Sequence, residues 1–138
     1  MVKKSFLNLE KSTKISQIKK EIIQFFLNNG KNSISELSKE LDLSVPTITK
    51  LINSMTDDGL ISDYGKIQTP EGRHPNVYGL NPTSAYFVGI DMTRHHLNMA
   101  LMDFNGDMVK TKFGVKYPYE NTPASLDELC NKIEEFIK

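Results

Sequence analysis

The chain has 138 residues, 38% hydrophobic and 25% charged, with 17 basic and 17 acidic side chains and a formal net charge of zero. That length holds one ordinary domain or two small ones, and that composition excludes disorder of the whole chain. No apolar run nears the roughly 20 residues that span a bilayer, MVKKSFLNLEKSTK lacks the apolar core of a signal peptide, and Cys130 stands alone, which excludes an internal disulfide or a cysteine-based zinc site and fits a cytoplasmic protein.

Residues 1–11 read as a loose basic arm; Lys3, Lys4, Lys11 and Lys14 are within reach of phosphates, but a solvated role suits most of them better. From Ser12 the pattern turns helical: Ile15, Ile18, Ile22, Phe25 and Phe26 recur at three and four, and Gly30 after Asn28 and Asn29 is a C-terminal stop. This helix is expected to form the back of a small domain.

The next stretch organises the chain. Ile34, Leu37, Ser38 and Leu41 lie at helical spacing, and Ser33 with Glu36 has the capping-box form. Ser44 is expected to cap a further helix with Pro46 in its first turn, where a missing N–H costs nothing. Only a short turn around Asp42 and Leu43 separates the two, which is the sequence form of a helix-turn-helix. At about 100° per residue, Ile48, Leu51, Ile52 and Met55 gather on one side of the second helix. Pro46, Thr49, Lys50 and Asn53 lie on the other, with Thr47 and Ser54 on a flank. The outer face therefore reads as small, polar and singly basic. An ordinary solvated face would look the same on an isolated helix. The cap, the short turn and the hairpin that follows favour a helix that enters the major groove, where Lys and Asn reach base edges and phosphates.

Leu60 and Ile61 begin a strand, and Val77, Tyr78 and Leu80 form its expected partner. The intervening YGKIQTPEGRHP is rich in turn formers, so the unit reads as a winged helix whose tip carries Lys66, Arg73 and His74. A slender basic tip suits the narrow minor groove of A·T-rich DNA. The expected DNA-binding set is Ser44, Pro46, Thr47, Thr49, Lys50, Asn53, Lys66, Arg73 and His74. Residues 1–55 hold nine lysines against five acids, so the basic excess sits with the helix-turn-helix. It is modest, and tight binding would need two copies on one duplex.

Asn81-Pro82-Thr83-Ser84 reads as a linker, giving domains 1–80 and 81–138. Beyond it, Tyr86–Asp91, Leu97–Asp103 and Met108–Val115 are expected strands, with an Asn105-Gly106 hairpin signal between the last two. A closing helix is expected from Ser125, with Leu126, Leu129, Ile133, Phe136 and Ile137 inward. About 57 residues bury little core, so this half-built layer needs cover on its third strand or helix face. His95 and His96, adjacent at the start of a strand, point to opposite faces and do not suit one metal ion.

The stretch SVPTITKLINSMTDDGLI, the GRHP wing and the VGIDMTRHHLNMALMDFNG hairpin, in that order, resemble the ROK family (repressor, open reading frame, kinase), specifically its NagC/XylR-type regulators. The resemblance runs from about Ser12 onward. It implies an α+β chain: a winged helix-turn-helix domain followed by the first segment of an actin-like (ribonuclease H-like) domain, three antiparallel strands and one helix. In that family the first hairpin carries a phosphate loop of the form D-x-G-G-T-K/H. Asp91 matches its aspartate, but Thr93 and Arg94 replace the glycines that let backbone N–H groups approach a phosphate. The family's sugar-contacting acids, catalytic base and zinc cluster lie downstream of this hairpin.

Three functions compete: a regulator binding double-stranded operator DNA as a homodimer, the start of a sugar kinase, and a winged helix that binds protein. The degraded phosphate loop opposes the second and the polar recognition face the third. The expectation is a repressor of sugar uptake or metabolism genes, with no enzymatic activity, no cofactor, no metal and no membrane association. A sugar effector follows only from a complete C-terminal domain.

Overall fold

A computed structural model describes residues 14–66 and 75–138. The chain divides into two compact units, Met1–Asn81 and Pro82–Lys138.

In the first unit, α1 spans Lys14–Asn29, a two-residue strand β1 spans Asn32–Ser33, α2 spans Ile34–Glu40 and α3 spans Val45–Asp57. Strands β2 (Ile61–Lys66) and β3 (Asn76–Leu80) follow. The sheet order is β1-β3-β2, antiparallel throughout. Gly30 ends α1 at φ +67°, with its N–H on the Phe26 carbonyl, a conformation a side chain would strain. Ile22, Phe25 and Phe26 are buried, but Ile15, on the same repeat, is exposed. It sits in the first described turn of α1, ahead of the residues that reach the core.

The core is closed by Leu37 of α2, Ile48, Leu51, Ile52 and Met55 of α3, Ile61 of β2, and Val77 and Leu80 of β3. β1 was not expected. It pairs Asn32 with Tyr78 and Ser33 with Val77, so one stretch ends a sheet and caps a helix at once. β2 also runs further than expected. Lys66 is paired with Asn76 at the end of β2 rather than carried on a turn. Tyr64 packs as a strand aromatic: its hydroxyl donates to the Leu80 carbonyl at 2.8 Å, and Lys31 Nζ lies 3.6 Å from its ring centre. A Cβ on Gly79 would stand 2.9 Å from Lys31 Cγ and 3.1 Å from the Tyr64 ring, so this stack needs glycine beneath it.

The second unit opens with a 3₁₀ turn at Pro82–Ser84. The expected linker is therefore ordered: Asn81 bonds back to Leu60 and Gly59, and the Pro82 carbonyl accepts from Phe104 N–H. Strands β4 (Tyr86–Met92), β5 (His96–Asp103) and β6 (Met108–Lys116) form a meander with β5 in the centre, and α4 spans Pro123–Ile137. At the β5–β6 turn, Asp103 Oδ1 accepts from the amides of Asn105 and Asp107, and Gly106 takes φ +84°.

The N-cap of α4 is Thr122, three residues before the expected start. Ser125 is instead buried, and its hydroxyl pairs with the Tyr117 hydroxyl at 2.7 Å. Lys110 Nζ donates to the Phe136 carbonyl at 2.8 Å, placing a cation at the C-terminal end of α4. Phe136 is buried and Leu129 and Ile133 are half-buried, whereas Leu126 and Ile137 face solvent, against expectation. Leu97 and Met99 of β5 are buried, while every residue of β4 is exposed. Among the described residues no helix is long and apolar enough to cross a membrane.

Candidate nucleic-acid interface

The helix-turn-helix is built from local hydrogen bonds. Ser33 Oγ caps α2 by accepting from Glu36 N–H at 3.2 Å. The return half of the expected capping box is not formed. Ser33 N–H donates to Asn32 Oδ1, and the Glu36 carboxylate takes Lys39 at 3.1 Å. In the turn, Asp42 adopts φ +50°, a region that Asp tolerates better than most side chains. Leu43 N–H donates to the Ser38 carbonyl, and the Ser38 hydroxyl donates to the Leu43 carbonyl. This two-way clamp holds the turn between α2 and α3.

α3 begins at a Ser44 cap whose Oγ accepts from Thr47 N–H at 3.3 Å and pairs with Thr47 Oγ1 at 2.8 Å. Only one hydroxyl proton is used between them, so the other remains for a phosphate oxygen. Pro46 occupies the second helical position, where its missing N–H leaves no broken bond. The helix ends in a Schellman turn: Leu60 N–H bonds to the Met55 carbonyl and Gly59 N–H to the Thr56 carbonyl, with Gly59 at φ +76°. Lys19 of α1 reaches Ser54 Oγ at 3.1 Å and Asp58 Oδ2 at 3.4 Å, tying the C-terminal half of α3 to the back of the unit.

The two faces of α3 separate as the periodicity predicts. Ile48, Leu51, Ile52 and Met55 are buried, and Ser44, Pro46, Thr47, Lys50 and Asn53 are exposed, with Thr49 half-buried. A shallow open groove on the outer face is lined by Val45, Pro46, Thr49, Lys50, Asn53, Ser54 and Asp57. The side chains of Lys50 and Asn53 have no hydrogen-bond or ion-pair partner among the described residues, so their donors are available to a ligand. Thr49 is different: its hydroxyl donates to the Val45 carbonyl at 2.8 Å, leaving an acceptor and a methyl group for the groove. Val45, which the sequence reading did not single out, is 49% exposed at the head of the same groove. At the other end Asp57 adds an acid, so an approaching phosphate is favoured toward the Lys50 end.

Lys66 extends from the last residue of β2, at the base of the wing. Arg73 and His74, expected at the wing tip, and the basic arm at residues 1–11, lie outside the described residues. The structure thus brings together Ser44, Pro46, Thr47, Thr49, Lys50 and Asn53 on one helix.

The turn between β4 and β5 is equally specific in its geometry. Thr93 N–H donates to the His96 carbonyl at 2.9 Å, and His96 N–H donates to Thr93 Oγ1 at 3.1 Å. The Arg94 and His95 carbonyls accept from Tyr119 and Tyr117 amides. The Thr93 and His96 amides are therefore both bonded across the base of this turn. The Asp91 carboxylate accepts from Asn98 Nδ2 at 3.0 Å. Among the described residues, no group of three His, Cys, Asp or Glu side chains is placed to hold a metal ion.

Capped helices, a clamped turn, a polar outer face and a following hairpin define a winged helix-turn-helix, and the winged helix-turn-helix DNA-binding family matches residues 15–62. Over a longer span the chain is 27% identical to the xylose repressor of Bacillus subtilis (strain 168), across 86% of this chain and 30% of that protein. It is 26% identical to the putative xylose repressor of Caldicellulosiruptor sp. (strain Rt8B.4), across 90% of this chain and 31% of the relative. The chain thus spans about a third of the length of the curated relatives it matches. A solved ROK family transcriptional regulator, described as a homolog of the E. coli MLC protein, superposes over 88% of this chain and 31% of its own, with a TM-score of 0.61 and 23% identity. Motif order, relatives and fold agree in one likeness: the chain is similar to ROK-type regulators, with a winged helix-turn-helix unit followed by three antiparallel strands and a helix.

Proposed function

We propose that this chain reads operator DNA through α3 and the wing, and that two copies on one duplex act in a sugar-responsive repressor. The observation that carries the proposal is the division of α3: four aliphatic side chains are fully engaged inward, while Lys50 and Asn53 present unpartnered donors outward. Lys50 suits a guanine edge or a phosphate, and Asn53 an adenine edge. Ser44 and Thr47 supply a hydroxyl proton to the backbone at the helix start. Lys66, Arg73 and His74 extend the footprint toward the neighbouring minor groove. The homodimer is argued from the modest basic excess, because a single copy neutralises few phosphates. The relatives are named xylose repressors, so pentose-utilisation promoters are the first candidates for the operator. Thr93 and Arg94 in place of glycines weigh against a kinase, and the Thr93 and His96 amides bond across the base of the turn.

The test is selection of bound fragments from a random DNA pool, followed by gel shifts with competitor. The expected product is a palindrome with half-sites about 10 base pairs apart, one helical turn. Binding that competitor DNA of any sequence removes equally well would refute the proposal. For the wing, Arg73→Ala is expected to weaken binding most on operators with A·T-rich flanks, and to reduce the salt slope by about one phosphate equivalent. Equal losses on A·T-rich and G·C-rich flanks would remove the minor-groove role.

A further inference from the structure

The first turn of the outer face of α3 differs in chemistry from the rest of it. Lys50 and Asn53 are polar, but the head of the groove is formed by Val45, Pro46 and Thr49. Pro46 offers ring methylenes and no N–H. The Thr49 hydroxyl proton is committed to the Val45 carbonyl at 2.8 Å. Val45 leaves about half of a branched hydrocarbon in water, one residue after the Ser44 cap. An isolated exposed valine needs no explanation. This one lies on the same shallow outer face as the two side chains that carry the polar donors, so a duplex laid along α3 over Lys50 and Asn53 comes within reach of Val45.

The floor of the major groove displays one apolar group, the 5-methyl of thymine. We infer that Val45, flanked by Pro46 and Thr49, forms an apolar step that reads a thymine methyl in the operator half-site. The inference rests on α3 being the recognition helix. It assigns a specificity role to a residue that carries no polar group. Burying a methyl-sized group is worth about fourfold in affinity, enough to favour T·A over other pairs at one position without dominating the affinity.

The experiment uses the 138-residue chain and an operator selected from a random pool. Each thymine is replaced in turn by deoxyuridine, which removes only the methyl group. Affinities of the wild type and Val45→Ala are measured by fluorescence anisotropy, alongside their melting curves. The expected result is one thymine, or two adjacent ones, where replacement weakens the wild type about fourfold. On the unmodified operator Val45→Ala should be weaker by a similar factor, and it should be indifferent to that same replacement while matching the wild type at all others. If Val45→Ala melts like the wild type and responds to every replacement as the wild type does, the inference is overturned. It is also overturned, with the recognition helix left standing, if the wild type binds a specific operator without sensitivity to any thymine methyl. A wild type that selects no sequence at all overturns both.

Discussion

The two units use the same materials, three antiparallel strands and packed helices, and reach different degrees of closure. In the first, α1, α2 and α3 bury Phe25, Phe26, Leu37, Ile48 and Met55 together with Ile61, Val77 and Leu80 of the sheet. In the second, one helix covers the central strand, where Leu97 and Met99 are buried. The flanking β4 leaves Tyr86, Phe87, Val88, Ile90 and Met92 exposed, and β6 does the same with Phe113. The two edges of that sheet also differ. β6 carries Lys110, Lys112 and Lys116 and two register irregularities, both features that discourage strand addition, whereas β4 has neither. A winged helix closes within some 80 residues because its helices cross over one face of a small sheet. A meander with one helix does not, because a single helix is about 10 Å wide and three strands are wider.

The largest expected effect tests that contrast directly. Ile48→Ala should destabilise the first unit by about 2–5 kcal/mol, seen as a lower urea midpoint, with DNA binding lost only as the unit unfolds. Ile90→Ala, on the uncovered strand, should shift stability by about 0.5 kcal/mol or less. Comparable losses for the two variants would mean that β4 is covered in solution, and the contrast would fail. Next in size, Lys50→Ala and Asn53→Ala should each weaken operator binding by about 1–3 kcal/mol with unchanged melting curves. These variants separate the two faces of α3 as Ile48→Ala and Ile90→Ala separate the two units. If both bind as the wild type does, the outer face does not read bases. The smallest effect belongs to the cap. Ser44→Ala should cost about 1 kcal/mol of stability, confined to the transition of the first unit. A loss of similar size in the second unit's transition would show that the two do not unfold independently.

Much of the candidate site was legible in the sequence because its causes are local. A serine before a helical run can satisfy an orphan N–H, a proline in the first turn breaks no bond, and a repeat of three and four puts Ile48, Leu51, Ile52 and Met55 on one stripe. None of these depends on what lies across space. The Asn105-Gly106 turn is similarly local, although the Asp103 carboxylate organises it as much as the glycine does. Where the expectations missed, a competing partner decided, distant in one case and local in the other. β1 is two residues long and exists only because β3 passes beside it. Glu36 had the spacing for a full capping box, yet Asn32 took the Ser33 N–H and Lys39 took the Glu36 carboxylate.

Sequence periodicity alone determined which residues share a face, and with it the winged helix-turn-helix and the strand–helix order of the second unit. It could not determine whether a shared face is covered. Ile15, Leu126 and Ile137 sit on apolar stripes and still point to water, because burial is a property of the neighbouring element and not of the helix that carries the residue. The same holds for Val45. Spacings of four put it in line with Thr49 and Asn53, but only the structure shows that it stays half in water there.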